Sequence, residues 1–542
     1  MAGCLLAPST DDDLRRERLM GELEVEVVPY GPDPDELDAA VRSALDLPEV
    51  RSELDGAEHR VLSVMPVEPD PGPGDDDVPE PTHVRATVYD YTNERTLVID
   101  TGPDHAGVDI RETVRQPLPT SEEFEAAVEA VGNDPELGAA LAAGQLRPYR
   151  PMPPLVLDEQ PDGTVVRTVT VGLLPADGAE ARHEIVGVAL AGGEVIRFES
   201  GAPDSALADP HHCGVPNAFQ GTTNRGTPGR AKVTVRRDGE TLWTMVVVRP
   251  AASAGRMGSG VELRRVRYRG KSVLRRAHVP ILNVRYRNDA CGPYRDWQWQ
   301  EGMFKAPGSN NPAPGFRLCP SKAQTVLESG DDQGNFRGVA IYVDGDEVVL
   351  VSELEAGWYR YVSRWRLHAN GTISPRFGFG AVDDSCVCNK HFHHVYWRFD
   401  FDVAGREHNE VREFNDPPLS GNDKWHRLRN EIRRSRNRNR KRKWQVRNIQ
   451  SGERYTLIPG DNDGKADSWG VGDLWALRHR PNQIDDGVDD VGQARARLNQ
   501  FVNGESIRNT DVVLWYAAHF THDVHEHGVG HIVGPTLVPG GW

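Results

Sequence analysis

From about residue 200 to the C-terminus the chain is written in short runs of alternating character. That period of two constrains the fold more than any other feature. The runs 232–235, 241–248 and 261–268, then 339–343, 347–354 and 358–367, are rich in β-branched and aromatic residues and alternate with polar ones. Each therefore presents one apolar and one polar face, as a half-buried strand does. Helical periodicity is scarce there, and the 54 Gly and 39 Pro of the chain favour strands joined by turns. The pattern predicts a large antiparallel β-sandwich over 201–542, with long excursions between strands.

The first part of the chain reads differently, as an internal repeat. Residues 35–41 (DELDAAV) and 47–54 (LPEVRSEL) recur as 122–128 (EEFEAAV) and 134–141 (DPELGAAL), both at one offset, so the match needs no gap. Each copy opens with a helix capped by acidic or hydroxyl residues, Thr120 and Ser121 in the second. Alternating strands follow, at 83–89 and 95–100 in the first copy and at 165–174 and 183–188 in the second. The fold class is α+β: a loosely packed lead-in at 1–28, small domains at 29–115 and 116–200, each a helix on an antiparallel sheet, and then the sandwich. The Pro/Asp/Gly run at 66–81 falls inside the first copy as a long hairpin loop. Neither copy contains a catalytic cluster.

A chain of 542 residues is too long for one core. Its net charge of −18 argues against a general nucleic-acid binder. One basic run, 427–443, carries ten Arg or Lys, and reads as a solvated segment offsetting an acidic protein's charge rather than a nucleic-acid patch. No apolar run reaches the roughly 20 residues that span a bilayer. The start lacks the basic and apolar regions of a signal peptide, so a cytoplasmic location is expected. Six Cys in this length do not make a disulfide scaffold.

The stretch 386–405 concentrates ligand chemistry. From Phe392 onward it reads as a strand; His391 and His393 project side by side, and Asp400 and Asp402 repeat the spacing with oxygen donors. One element could thus hold a borderline metal at one end and a hard cation at the other. Taken alone, the stretch reads more readily as a polar strand face. Cys386 and Cys388 with His391 and His393 also form a donor set suited to Zn²⁺, although four ligands within eight residues of a strand wrap poorly into a tetrahedron.

Three segments, in this order, resemble the catalytic domain of the copper- and topaquinone-dependent amine oxidases. The first is 358–373, WYRYVSRWRLHANGTI, similar to the family's Asn-Tyr-Asp/Glu-Tyr, Trp and Asp-Gly-Thr-Ile, with the modified tyrosine falling on Tyr359. The second is His391-Phe-His393 through Arg398-Phe-Asp400, and the third runs from Asp511 through Leu514-Trp515-Tyr516 to Thr521-His522. The resemblance covers roughly residues 30 to 535 and makes the repeated copies two small cystatin-like α+β N-terminal domains ahead of a β-sandwich catalytic domain. It implies copper on His391, His393 and His522, and a quinone made from Tyr359 by copper and O₂. It also implies oxidative deamination of a small-molecule or peptide-borne primary amine to aldehyde, ammonia and H₂O₂.

By the same resemblance Asp296, in Tyr294-Arg-Asp296, is the proton-abstracting base and Tyr286 the gate tyrosine. Asp400, Asp402, Asp511 and the carbonyls of Phe401 and Val512 would hold Ca²⁺, and the protein would be a homodimer. The departures are Trp358 for the family's Asn and Arg360 for its acid, both beside the cofactor position. Arg360 is thereby expected to alter substrate charge preference. The run after His522 departs as well, and Cys319 has no evident disulfide partner. Those departures support the alternative reading, a copper-binding relative without a quinone that acts as a binding or structural protein or in unusual amine chemistry.

Overall fold

A computed structural model describes residues 21–67, 80–102, 108–113, 116–151, 155–159, 165–176, 183–197, 213–218, 220–221, 223, 226–253, 258–286, 294–384, 386–388, 390–480, 497–522 and 531–542. Most of the hairpin run at 66–81 and the segment 523–530 lie outside the described residues.

The repeat folds as its pattern requires. The first helix, Pro34–Leu45, starts at an Asp33 cap whose side chain accepts from the Glu36 amide while Glu36 bonds back, and it buries Leu37, Val41 and Ala44 on one face. That face packs on a four-stranded sheet made of His59–Val67, His83–Asp90, Arg95–Thr101 and Val108–Thr113. The second helix, Ser121–Asn133, repeats the reciprocal cap with Thr120 and Glu123 over a five-stranded sheet. Here the capping Glu123 is also buried, paired with Arg167 at 2.6 Å, and it accepts at 2.6 Å from the hydroxyl of Tyr91 in the first copy. One capping residue thus ties the two small domains together.

The rest is a sandwich of a ten-stranded and an eleven-stranded sheet. Every expected strand is present; one pair in the larger sheet, Phe316–Leu318 with Val339–Asp344, is parallel. The lead-in differs from expectation. Residues Glu24–Pro29 form a strand that pairs antiparallel with Arg230–Arg237, so the end of that segment belongs to the edge of the ten-stranded sheet. Three long strands lie side by side in this sheet: Lys271–Tyr286, His391–Phe401 and Val512–His522. In the facing sheet Tyr359–His368 runs between Glu347–Ala356 and Ile373–Ala381. The core between the sheets is dominated by aromatics; Trp365 of one sheet meets Phe399 of the other edge-on at 6.4 Å.

Half of the basic residues of the 427–443 run are exposed, as expected of a solvated segment, and four of the run pair with acids. Arg434 and Arg442 both reach Glu413, Arg427 pairs with Glu410, and Arg436 pairs with Asp473 at 2.8 Å while donating to the Ala517 carbonyl at 2.5 Å. It braces the sheet that carries Val512–His522. Among the described residues no helix is long and apolar enough to cross a membrane.

Candidate metal centre and its tyrosine

Register explains how distant histidines meet. In the antiparallel pairing of His391–Phe401 with Val512–His522, His391 stands directly opposite His522, and His393 lies two residues along on the face of His391. Ring centroids are 4.8 Å apart for His391 and His393 and 4.5 Å for His391 and His522. His391 and His393 are buried. Burial, and then the neighbouring imidazoles, hold His393 well below the usual histidine range, so it is neutral. Its Nδ1 is buried and has no hydrogen-bond partner among the described residues. A neutral imidazole with an orphaned nitrogen, beside two others, fits a three-nitrogen copper site.

Tyr359 reaches this cluster from the facing sheet. Its ring lies 5.0 Å from that of His393 and 5.8 Å from that of His391, centroid to centroid, and it stacks on Tyr361 at 5.0 Å. The Tyr359 and Tyr286 hydroxyls are 2.6 Å apart, and the Trp358 indole N–H donates to the Tyr286 oxygen at 2.7 Å. Tyr286 is 1% exposed, a buried partner of the Tyr359 hydroxyl. Asp296 is buried and accepts from the Tyr361 hydroxyl. Burial pushes its carboxyl up to about 7 even though that bond opposes the shift, a value suited to proton transfer near neutrality. Tyr361, absent from the sequence-derived set of site residues, is the link between Asp296 and Tyr359. Strand alternation could have found it, since it sits two residues from Tyr359.

Arg360 is not at this site. Alternation turns it to the other face, where it is 1% exposed and grips Asp332 through Nε at 2.6 Å and Nη2 at 3.1 Å. The expectation that it adjusts substrate charge preference is therefore corrected: its charge is spent on a buried ion pair. Asp332 in turn accepts from the Ala218 amide at 2.9 Å.

A cavity of about 100 Å³ opens between Tyr359, the three histidines, Phe520, His531 and a wall that includes Cys213, Gly214, Val215 and Val387. The wall is closely fitted. Val215 donates to the Ala381 carbonyl and accepts from Asp383, and a Cβ on Gly214 would lie 2.4 Å from the Val382 carbonyl carbon. A Cys213–Cys388 disulfide spans 175 residues to hold it, and Cys386 is disulfide-bonded as well. The proposed Cys386/Cys388/His391/His393 zinc site is thereby overturned, since disulfide sulfurs are not thiolate ligands. Cys319 is free and buried. His531 also went unrecognised; its ring stacks on Phe520 at 4.1 Å, and Phe520 stacks on His393 at 5.2 Å.

At the other end of the same strands Asp400, Asp402 and Asp511 converge, with Phe401 and Val512 in register beside them. One oxygen of each carboxylate is buried without a hydrogen-bond partner among the described residues. Burial first, then the charges of Asp400 and Asp511, raise the Asp402 carboxyl well above its usual range; burial and Asp400 also raise Asp511. The set fits a hard divalent cation. His479, outside the expected ligands, lies with its two ring nitrogens 3.6 Å from Asp400 and 3.5 Å from Asp511, and Arg406 pairs with Asp511 at 2.6 Å.

Neither a protein-family model nor a curated protein sequence matches the chain. Solved structures do. The copper-containing benzylamine oxidase of Hansenula polymorpha superposes with a TM-score of 0.58 at 12% identity, covering 95% of this chain and 98% of that one. The amine oxidase of Aspergillus nidulans gives 0.55 at 14% identity over 95% and 88%, and the lysyl oxidase PPLO of Pichia pastoris 0.51 at 13% over 94% and 88%. Across nearly its whole length the chain has the fold of these amine oxidases, in a divergent sequence.

Proposed function

We propose that the protein is a copper-dependent oxidase of primary amines, with His391, His393 and His522 as copper ligands and Tyr359 as precursor of a topaquinone. One observation carries this reading: two strands of one sheet and one of the other bring three histidines and a buried tyrosine to a single cavity. When formed, the quinone would supply an electron sink for the amine's α-carbon. The chain's own residues would do the rest. The histidines bind the metal uncharged, Tyr286 and the Tyr361 stack orient Tyr359, and the wall from Cys213 to Val215 keeps bulk water out. Asp296, with a carboxyl near 7 and linked through Tyr361, is the group best suited to take a proton at neutral pH.

Asp400, Asp402 and Asp511 would hold Ca²⁺ as a structural ion, supported by their three oxygens without hydrogen-bond partners among the described residues. Two disulfide-bonded cysteines in the 386–388 turn support folding in an oxidising compartment rather than the cytoplasm.

The test is amine-dependent O₂ uptake and H₂O₂ release by the copper-loaded protein across a panel of aliphatic and aromatic primary amines. Turnover that His522→Ala abolishes supports the reading. Stoichiometric copper without turnover of any amine would favour the alternative, a copper-binding relative that works without a quinone.

A further inference from the structure

Trp358 occupies the position where the amine oxidase pattern has Asn, and its indole is built into the tyrosine pair. Trp358 is 4% exposed, Tyr286 1% and Tyr359 3%. The indole N–H donates to the Tyr286 oxygen at 2.7 Å, and that oxygen lies 2.6 Å from the Tyr359 oxygen. The rings pack accordingly: Trp358 sits edge-on to Tyr286 with centroids 6.2 Å apart, and 6.3 Å from Tyr359.

The chemistry of the three groups gives this chain a direction. An indole nitrogen only donates, whereas a phenol has one proton to give and lone pairs to accept with. With the indole proton on its oxygen, Tyr286 has two choices. It can give its own proton to Tyr359, or accept from both neighbours and leave its own proton unpaired. Tyr286 has no other hydrogen-bond partner among the described residues. A buried donor without an acceptor is costly, so the first arrangement wins. The Tyr359 oxygen then accepts on the Tyr286 side. Its own proton is left for the other side, where Tyr359 lines the cavity with His391 and His393.

We propose that Trp358 is a positioning residue that sets the direction of the hydrogen-bond chain Trp358 to Tyr286 to Tyr359, so that the Tyr359 oxygen is an acceptor at Tyr286 and turns its own proton toward the histidine cavity. The proposal rests on the reading of Tyr359 as the residue that copper modifies. It also accounts for the departure from Asn: the indole is a donor that cannot reverse, whereas an amide offers both a donor and an acceptor. A proton that faces the metal ligands is the one lost when the oxygen approaches a cation, and the bond from Tyr286 remains to hold that oxygen in place.

The bond itself is tested on metal-free protein with tryptophan-selective ¹⁵N labelling, the Trp358 indole signal being identified by its loss in Trp358→Phe. The expected result is an indole proton that exchanges far more slowly than exposed ones and whose shift moves in Tyr286→Phe. An indole signal that exchanges freely, or that ignores Tyr286→Phe, overturns the proposal. The consequence is tested by the rate at which the Tyr359 peptide is oxidised in copper-loaded protein under air. Trp358→Phe and Tyr286→Phe should each slow it by about tenfold or more at unchanged copper content, the range expected for a lost outer-shell partner. The double variant should be no slower than the slower single one, because both act through one chain. Independent, multiplying effects would contradict the proposal. Should wild-type Tyr359 stay unoxidised, the proposed function fails while the indole measurement still decides the hydrogen bond.

Discussion

The two ends of the His391–Phe401 strand handle charge in opposite ways. At the histidine end the donors are imidazoles, and burial holds His393 uncharged, so a metal would find a ready ligand. At the aspartate end three carboxylates are forced together. Arg406 at 2.6 Å from Asp511 and Arg398 at 3.4 Å from Asp400 compensate part of the charge. The first end has a cavity in front of it and a tyrosine across it. The second is closed around its own counter-charges. The same backbone register serves both, because pairing His391 with His522 necessarily pairs Phe401 with Val512 and brings Asp511 beside Asp400 and Asp402. One end of the strand thus sets imidazoles against a cavity, and the other packs carboxylates among arginines.

Separate substitutions should break this comparison at one end without touching the other. The largest effect is expected at the histidine end. His522→Ala should weaken copper binding by more than the roughly hundredfold that losing an outer-shell partner costs, with calcium binding unchanged, as measured by metal analysis after dialysis. Loss of both metals together would mean that the two ends are not independent. Next, calcium at a hundred times its Kd should stabilise the wild-type protein by about 2.7 kcal/mol in denaturant titrations and Asp402→Asn by none, with copper content equal in both. Equal stabilisation of the two proteins would remove Asp402 from the site.

The smallest effect concerns pH. Asp296 has its folded carboxyl raised to about 7 from 3.8, so the stability it contributes is fully present below 3.8 and is lost as pH rises through about 7. Asp296→Asn should flatten the stability curve in that window by at most about 1.4 kcal/mol per pH unit, and the amine-oxidation rate of the wild type should fall as pH drops through about 7. Asp384, also pushed to about 7 by burial, titrates in the same window, so the comparison is between wild type and Asp296→Asn rather than an absolute slope. An unchanged rate profile in Asp296→Asn would assign the proton transfer elsewhere.

Much of this was legible in the residues because it depends on local period or on fixed spacing. The helices of the repeat carry reciprocal caps at Asp33 and Glu36 and at Thr120 and Glu123, and strand alternation placed His391 beside His393. What stayed hidden is set by topology alone. Cys213 meets Cys388 across 175 residues because the 213–215 segment joins the Val382 edge by a parallel bridge. Arg360 finds Asp332, Asp296 finds Tyr361, and His479 arrives beside Asp511 only because its strand pairs with Val512–His522. None of those pairs has a sequence spacing that a local rule could read. Glu24–Pro29 escaped for a similar reason: its partner strand lies about 200 residues away and most of its residues stay exposed.

The most direct test is the chemical state of Tyr359 after metal-free protein is loaded with copper under air. The account predicts one copper per chain, a visible absorption band that phenylhydrazine shifts, and a Tyr359 peptide whose mass has changed. Stoichiometric copper bound through His391, His393 and His522 with Tyr359 recovered unmodified would contradict it.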